Sequence, residues 1–281
     1  MASNVTGGPG ERAFGSVRLN KRQPKRRTVG VTEIRGPYYA PMGKRYLQDV
    51  LETMGAYVDI LKFAGGSFAL MPRAALAELI DLCHAHGVRV STGGFIEYVL
   101  TQGADAVRRY LAECRALGFD VVEVSSGFIS VPPDDLVRLV GAVREAGLTA
   151  KPEVGIQFGA GGASAAAELE AEGTRDPGLA IALARRYLDA GAELIMIESE
   201  GITENVRAWR SDVPQRFAEA LGTERVMFEA ADPEVFGWYV KTFGPEVNLF
   251  VDHSQVVQLE CLRSGVWGTK DVWGRVLTWK G

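Results

Sequence analysis

The chain contains no C-x-x-C pair, no G-x-G-x-x-G or Walker A loop, and no apolar run of the roughly 18–20 residues that a membrane span needs. Each absence removes a class of protein. The three cysteines, Cys83, Cys114 and Cys261, stand far apart, which supports neither a disulfide framework nor a zinc site. They read as small buried hydrophobes in a reducing compartment, so the expected location is the cytoplasm. Without a glycine fingerprint after the first strand, a doubly wound nucleotide-binding sheet loses its main signature. Gly65-Gly66 and Gly93-Gly94 are too short to be one and read as turns after strands. No membrane partner is expected.

Negative charge is in modest excess, and its distribution is uneven. The formal net charge is −4, but residues 1–27 carry seven Lys or Arg against the single acid Glu11. That segment also holds Gly7-Gly8-Pro9-Gly10 and little apolar content, which suits a flexible basic tail. It lacks the apolar stretch of a secretory signal. The remaining body is acidic, which argues against nucleic acid as a partner. Residues 28–281 are then left as one large domain with a C-terminal extension.

From Thr28 onward, β-branched runs alternate with helical periodicity. Strands are expected at 28–34, 58–63, 88–92, 120–125, 148–154, 193–199, 225–230 and 247–252. Helical stretches lie between them, at 76–87, 107–118 and 136–147, each ending in a glycine suited to a helix C-terminus. A further stretch at 176–191 opens with Asp176-Pro177. Eight β-then-α units over about 240 residues match a (β/α)8 TIM barrel in one domain. The doubly wound open sheet is the main alternative.

The strands finish in charge. Glu33 and Arg35 end the first, Lys62 the second, Glu123 and Ser125 the fourth, Lys151 and Glu153 the fifth. Glu198 and Glu200 end the sixth, Glu229 the seventh, and Asp252 with His253 the eighth. Strand side chains alternate faces, so Lys151 and Glu153 point the same way. Opposite charges on one face of a core strand are costly unless they pair or do chemistry. In a barrel the inward residues at the C-terminal strand ends meet at one mouth, where barrel enzymes work. A purely structural salt-bridge network closing the barrel is the competing reading. Glu153, Glu198 and Glu229 are candidate ligands of a hard divalent ion, for which Mg²⁺ is the expected cofactor. Lys62, Lys151 and Arg35 are candidates to hold a small anionic substrate, and a desolvated lysine can act as acid or base. Lys151, Lys62 and Glu123 are thus the catalytic candidates, and Arg35, Ser125, Asp252 and His253 the substrate-binding ones. His253 follows the eighth strand near the usual barrel phosphate site, or caps the next helix. His84 and His86 fall on a helix far from the mouth and read as packing or surface residues.

These strand ends sit in longer stretches that resemble a known family. "YVDILKFAGGSFAL", "HGVRVSTGGFIEYVL", "DVVEVSSGFISVPPDDLVRLV", "PEVGIQ", "LDAGAELIMIE" and "LECLRSGVWG" are similar to the phosphosulfolactate synthases of coenzyme M biosynthesis, over about residues 28–270. "GVTEIRGPYYAPMGKRYLQDVLETMG" and "MIESEGITENVRAWR" look most like the heat-stress-associated and fungal branch of that family. The resemblance implies a Mg²⁺-dependent barrel that adds sulfite to phosphoenolpyruvate, with cations stabilising a carboxylate-delocalised carbanion and a lysine supplying the proton. It also implies a homo-oligomer. The chain departs from the synthases at Ile34-Arg35-Gly36 in place of Asp-Lys-Gly, at Ile156-Gln157 in place of a lysine pair, and at Glu200 in place of Arg. Two further readings stay open: a lyase or isomerase acting on another small phosphorylated or carboxylate substrate, and a non-enzymatic stress-protective barrel.

Overall fold

The computed structural model of the protein describes residues 12–157, 165, 167, 176–230, 232–266 and 276–278. The glycine-rich loop at 158–162, residues 1–11 and most of the C-terminal extension lie outside the described residues. Eight strands close into a barrel in sequence order. They are β1 (Thr32–Arg35), β2 (Ile60–Lys62), β3 (Arg89–Ser91), β4 (Val121–Val124), β5 (Thr149–Val154), β6 (Ile195–Ile197), β7 (Val226–Glu229) and β8 (Asn248–Asp252). All neighbours are parallel, and β8 closes on β1 with Thr32 opposite Leu249 and Arg35 opposite Asp252.

Helices follow the strands: α1 (Lys44–Met54), α2 (Arg73–Ala85), α3 (Ile96–Leu100), α4 (Ala104–Leu117), α5 (Pro133–Glu145), α6 (Gly178–Asp189), α7 (Asp212–Leu221), α8 (Pro233–Phe243) and α9 (Val256–Arg263). Gly87, Gly118 and Gly147, which follow α2, α4 and α5, take φ of +64°, +96° and +76°, where a Cβ would be strained. Every expected strand overlaps an observed one, and the single-domain TIM barrel is the observed fold. At β1 the pairing begins four residues later than the apolar run. The carbonyl of Gly30 is taken by two guanidiniums, from Arg22 (2.9 Å) and Arg263 (2.6 Å), rather than by a neighbouring strand.

Strand alternation divides the interior into two cores. Outward residues such as Ile34, Leu61, Val122, Val124, Ala150, Val154, Leu249 and Val251 pack beneath the helices in one large cluster. Inward residues Val31, Ile60, Leu194, Met196, Met227 and Phe250 form a small separate one. The inner cluster is too small to fill the barrel alone. Many of the remaining inward positions are charged, and they carry the site.

The basic N-terminal segment is not free along its whole length. From Asn20 it lies against the barrel floor. Asn20 donates to the carbonyls of Arg263 (3.0 Å) and Val276 (2.7 Å). Arg22 pairs with Glu260 at 3.1 Å, and Arg27 with Asp59 at 2.8 Å, all four side chains being nearly covered. Lys25 donates to the carbonyl of His86 at 2.9 Å. The partners Asp59 and Glu260 are distant in sequence.

Removing one partner of a buried ion pair costs about 3–5 kcal/mol, because the other charge stays buried. Deletion through Arg27 is therefore expected to lower the melting temperature by at least about 6 °C, at roughly 2 °C per kcal/mol. Deletion through Arg18 alone should leave it within about 2 °C, since residues 12–18 are exposed. Differential scanning calorimetry on the two truncations decides it, and equal melting temperatures would show that the floor contacts contribute nothing.

Candidate active site

The inward side chains of β1, β2, β4 and β5 form a ladder of alternating charge through the barrel axis. Lys151 sits lowest with Glu33. Its Nζ contacts the Glu33 carboxylate and lies 3.1 Å from Glu123. Lys62 lies 2.8 Å from Glu123 and 3.6 Å from Glu153. Register places these groups together, since β4 and β5 pair Glu123 with Lys151 and β1 and β2 pair Arg35 with Lys62. Burial pushes the Glu123 carboxyl up, but Lys62 and Lys151 together outweigh it and hold it below the usual carboxylate range. Burial opposes the charge on Lys62, and Glu123, Glu153 and Glu229 overcome that, leaving its ammonium more basic than usual.

Above the ladder, negative charge is in excess. Glu153, Glu198 and Glu229, from β5, the end of β6 and β7, bring one carboxylate oxygen each within 4.8 Å of one another. Burial, reinforced by the charge of Glu123, pushes Glu153 up to about 8. Burial and the charges of Glu229 and Glu153 push Glu198 well up. Burial also raises Glu229, against the pull of Lys62 and Arg35. Three carboxyls forced toward protonation at one point are short of positive charge. Their donor set is all hard oxygen, and a hard cation with metal–oxygen distances of about 2.0–2.6 Å spans about 4–5 Å between opposite ligands. The trio therefore fits a divalent ion such as Mg²⁺.

A cavity of about 440 Å³ opens above these groups. Lys62, Glu123, Glu153, Glu198 and Glu229 line its floor, and Arg35 its wall. Arg35 donates to Glu229 at 2.6 Å and to the Tyr39 hydroxyl at 3.2 Å. The candidate residues thus divide. Lys62, Glu123, Glu153, Glu198, Glu229, Arg35 and Ser125 meet at the cavity. Lys151 points inward as expected, yet it lies beneath the cavity, 1% exposed, and pairs with Glu33 and Glu123. Ser125 donates to Glu97. Asp252 caps the turn after β8 by accepting from the Ser254 N–H at 2.9 Å, and His253 Nδ1 faces the Arg35 carbonyl at 3.0 Å. Neither Asp252 nor His253 lines the cavity. His84 contacts Asp120 at 2.9 Å on the outside, as its helical position implied.

Sequence reasoning passed over Glu97, Glu204 and the aromatic side chains of the cavity wall. Glu97 is buried and accepts from Ser125, from the Gly127 N–H (3.1 Å) and from the Phe128 N–H (2.8 Å). Its signal was a lone acid inside the apolar run "GGFIEYVL". Tyr38, Tyr39, Tyr98 and Phe128 belong to loops or short helices, where no periodicity marks a shared direction.

A closed parallel barrel with charged groups gathered at the C-terminal ends of its strands is the architecture of a barrel enzyme's active-site face. The family model for (2R)-phospho-3-sulfolactate synthase (ComA) matches residues 20–269, and the chain belongs to that family. The resemblance drawn from the strand-end motifs holds at that level. The protein HEAT-STRESS-ASSOCIATED 32 of Arabidopsis thaliana is 40% identical over 252 residues, covering 86% of this chain and 88% of the relative. The phosphosulfolactate synthase of Methanothermobacter thermautotrophicus is 26% identical over 262 residues, covering 91% and 95%. Among solved structures, the carboxyl transferase domain of Rhizobium etli pyruvate carboxylase with pyruvate superposes with a TM-score of 0.55 at 13% identity. It covers 79% of this chain and 39% of that one, a likeness of barrel fold alone. Among the described residues no helix is long and apolar enough to cross a membrane.

Two outcomes follow from this geometry. Lys151→Met leaves Glu33 and Glu123 facing each other without their shared cation, and should cost about 3–5 kcal/mol of stability in denaturant titration. Lys151→Met/Glu33→Gln removes one of the two stranded charges and should recover part of that loss. A double variant no more stable than the single one would rule out the pairing as the cause. The second outcome concerns the trio. A carboxyl whose folded pKa is raised adds stability that is complete below its unfolded value and is lost as pH rises through its folded value. For Glu153 that window runs from the ordinary carboxylate range to about 8. A divalent ion must displace that proton, so Mn²⁺ affinity should rise from pH 6 to pH 8 with protons released. Calorimetry in two buffers of different ionisation enthalpy measures both, and pH-independent binding would place the ion elsewhere.

Proposed function

We propose that the protein is a metal-assisted lyase that adds a nucleophile to the double bond of an enolic carboxylate, the family's form of the reaction being sulfite addition to phosphoenolpyruvate. The observation that supports this best is the carboxylate trio next to a charged lysine on the floor of one cavity. A divalent ion held by Glu153, Glu198 and Glu229 would supply Lewis-acid stabilisation of the carboxylate as negative charge spreads onto it. Lys62 stands beside that position with a positive charge that Glu123 and Glu153 maintain. It stabilises charge developing at the carbon next to the carboxylate and is the lysine of the cavity lining able to deliver a proton there. Lys151 acts through Glu123, keeping it ionised and so keeping Lys62 in place. Arg35 holds Glu229 from the outer side.

The heat-stress-associated relative favours a second reading, in which the barrel serves a protective role without turnover. The two part on one experiment. Solvent deuterium incorporation next to the substrate carboxylate is followed by NMR with Mg²⁺, first with the sulfite and phosphoenolpyruvate pair and then with other small 2-oxo acids. The lyase reading expects Mg²⁺-dependent incorporation that falls by roughly 10²–10⁴ in Lys62→Met. Absence of incorporation with every acid tried, or full incorporation in Lys62→Met, would leave the protective reading standing.

A further inference from the structure

The cavity is built for less negative charge, and for more apolar surface, than a phosphorylated substrate brings. Among its lining residues, Arg35 and Lys62 are the cations, against the six carboxylates Glu97, Glu123, Glu153, Glu198, Glu204 and Glu229. With a divalent ion bound, the formal charge is still negative. Both cations are already engaged. Lys62 pairs with Glu123 and lies 4.4 Å from the centre of the Phe250 ring. Arg35 pairs with Glu229, and its guanidinium stands 5.1–5.7 Å from the rings of Tyr38, Tyr39 and Phe250.

The usual phosphate position of a barrel is closed as well. That position uses backbone N–H groups after the seventh and eighth strands. Here the chain's own carboxylates take them. Asp232 accepts from the N–H groups of Glu234 (2.9 Å) and Val235 (3.2 Å) at the start of α8. Asp252 accepts from the Ser254 N–H (2.9 Å) and hydroxyl (2.6 Å) after β8. A phosphate would meet two carboxylates where it needs donors.

The opposite wall is aromatic and fixed. Phe95 lies 5.3 Å from Phe68, 5.7 Å from Tyr98 and 5.9 Å from Tyr110, ring centre to ring centre. Phe128 is held through its N–H by buried Glu97. These rings face the same cavity as the carboxylate trio, and about 440 Å³ is well within the range of about 300–1,000 Å³ that takes larger organic ligands.

We propose that this chain's substrate is an unphosphorylated, singly charged 2-oxo acid with an apolar or aromatic body, taken as the enol that carries the reacting double bond, its carboxylate toward Glu153, Glu198 and Glu229 and its body on the wall formed by Phe95, Tyr98 and Phe128. The proposal rests on the metal-anchored carboxylate site described above and replaces phosphoenolpyruvate as its occupant. Full-length protein is first titrated with Mn²⁺ by electron paramagnetic resonance. The Mn²⁺-loaded protein is then titrated calorimetrically with phenylpyruvate, pyruvate and phosphoenolpyruvate. Phenylpyruvate is expected to bind at least about tenfold more tightly than either of the others, the scale of discrimination a hydrophobic contact supplies. Tyr98→Ala and Phe128→Ala should abolish that preference without changing Mn²⁺ affinity. Their rings are 61% and 57% exposed, so folding is not at stake. Mn²⁺ binding with phosphoenolpyruvate preferred, or a phenylpyruvate affinity that the two variants do not move, would overturn the substrate assignment while leaving the metal site intact. Failure of Mn²⁺ to bind would instead overturn the metal site and with it the anchoring of any carboxylate.

Discussion

Lys151 is the group on which the rest of the barrel interior depends. It is a full positive charge at 1% exposure, placed between Glu33 and Glu123. A buried ammonium is tolerable only when its neighbours are charged and close, and the same holds for each carboxylate. The three groups therefore require one another. Because Glu123 is kept ionised by that arrangement, it in turn holds Lys62, and Lys62 reaches Glu153. One interaction at the bottom fixes the protonation and position of groups two layers higher. Such a ladder adds little net stability compared with an apolar core, since the desolvation of five charges offsets most of the attraction. What it supplies is a defined electrostatic floor beneath the cavity.

The two levels of the interior consequently differ in kind. In the lower level, each charge has an opposite charge beside it. In the upper level, Glu153, Glu198 and Glu229 stand together with Lys62 and Arg35 each shared with other partners. Glu123 is held below the usual range while Glu153, one strand over and carrying the same chemical group, is pushed up to about 8. Both are buried, but Glu123 lies between two lysines, whereas Glu153 has the charges of Glu123 and Glu229 beside it and Lys62 farther away. Pairs of like groups driven apart in this way are a mark of functional sites, and a cation accounts for the upper set more simply than three neutral acids do.

Much of this was legible in the sequence, and for a definite reason. Barrel topology converts a one-dimensional pattern into a ring, so charged residues recurring at strand ends are brought to one mouth once the fold is recognised. Glu153, Glu198 and Glu229 were found this way, as was the common direction of Lys151 and Glu153. Depth was not legible. Whether Lys151 lies in the mouth or below it depends on strand stagger, which no residue pattern records. Loop residues were not legible either. Asp252 and His253 carry suitable chemistry at the right place in the chain, but the local turn claims Asp252 through the Ser254 N–H, and the Arg35 carbonyl of β1 claims His253. Nor was the floor contact of Arg22 and Arg27 visible, since the acids that receive them, Glu260 and Asp59, come from elements that only the closed barrel brings together.

The departures from the synthase pattern acquire a physical sense in this structure. Losing a lysine pair after β5 and placing Glu200 after β6 would ordinarily unbalance a site that must hold two anions. Glu200 is instead buried at 1% exposure and accepts from Asn205 at 3.0 Å, so it is bound into the loop after β6. Arg35, in the position of a synthase lysine, exchanges a mobile point charge for a planar group that sits against aromatic rings while it pairs with Glu229. Arg35 thus stands among aromatic rings on one side of the mouth, with the carboxylate trio and Lys62 on the other.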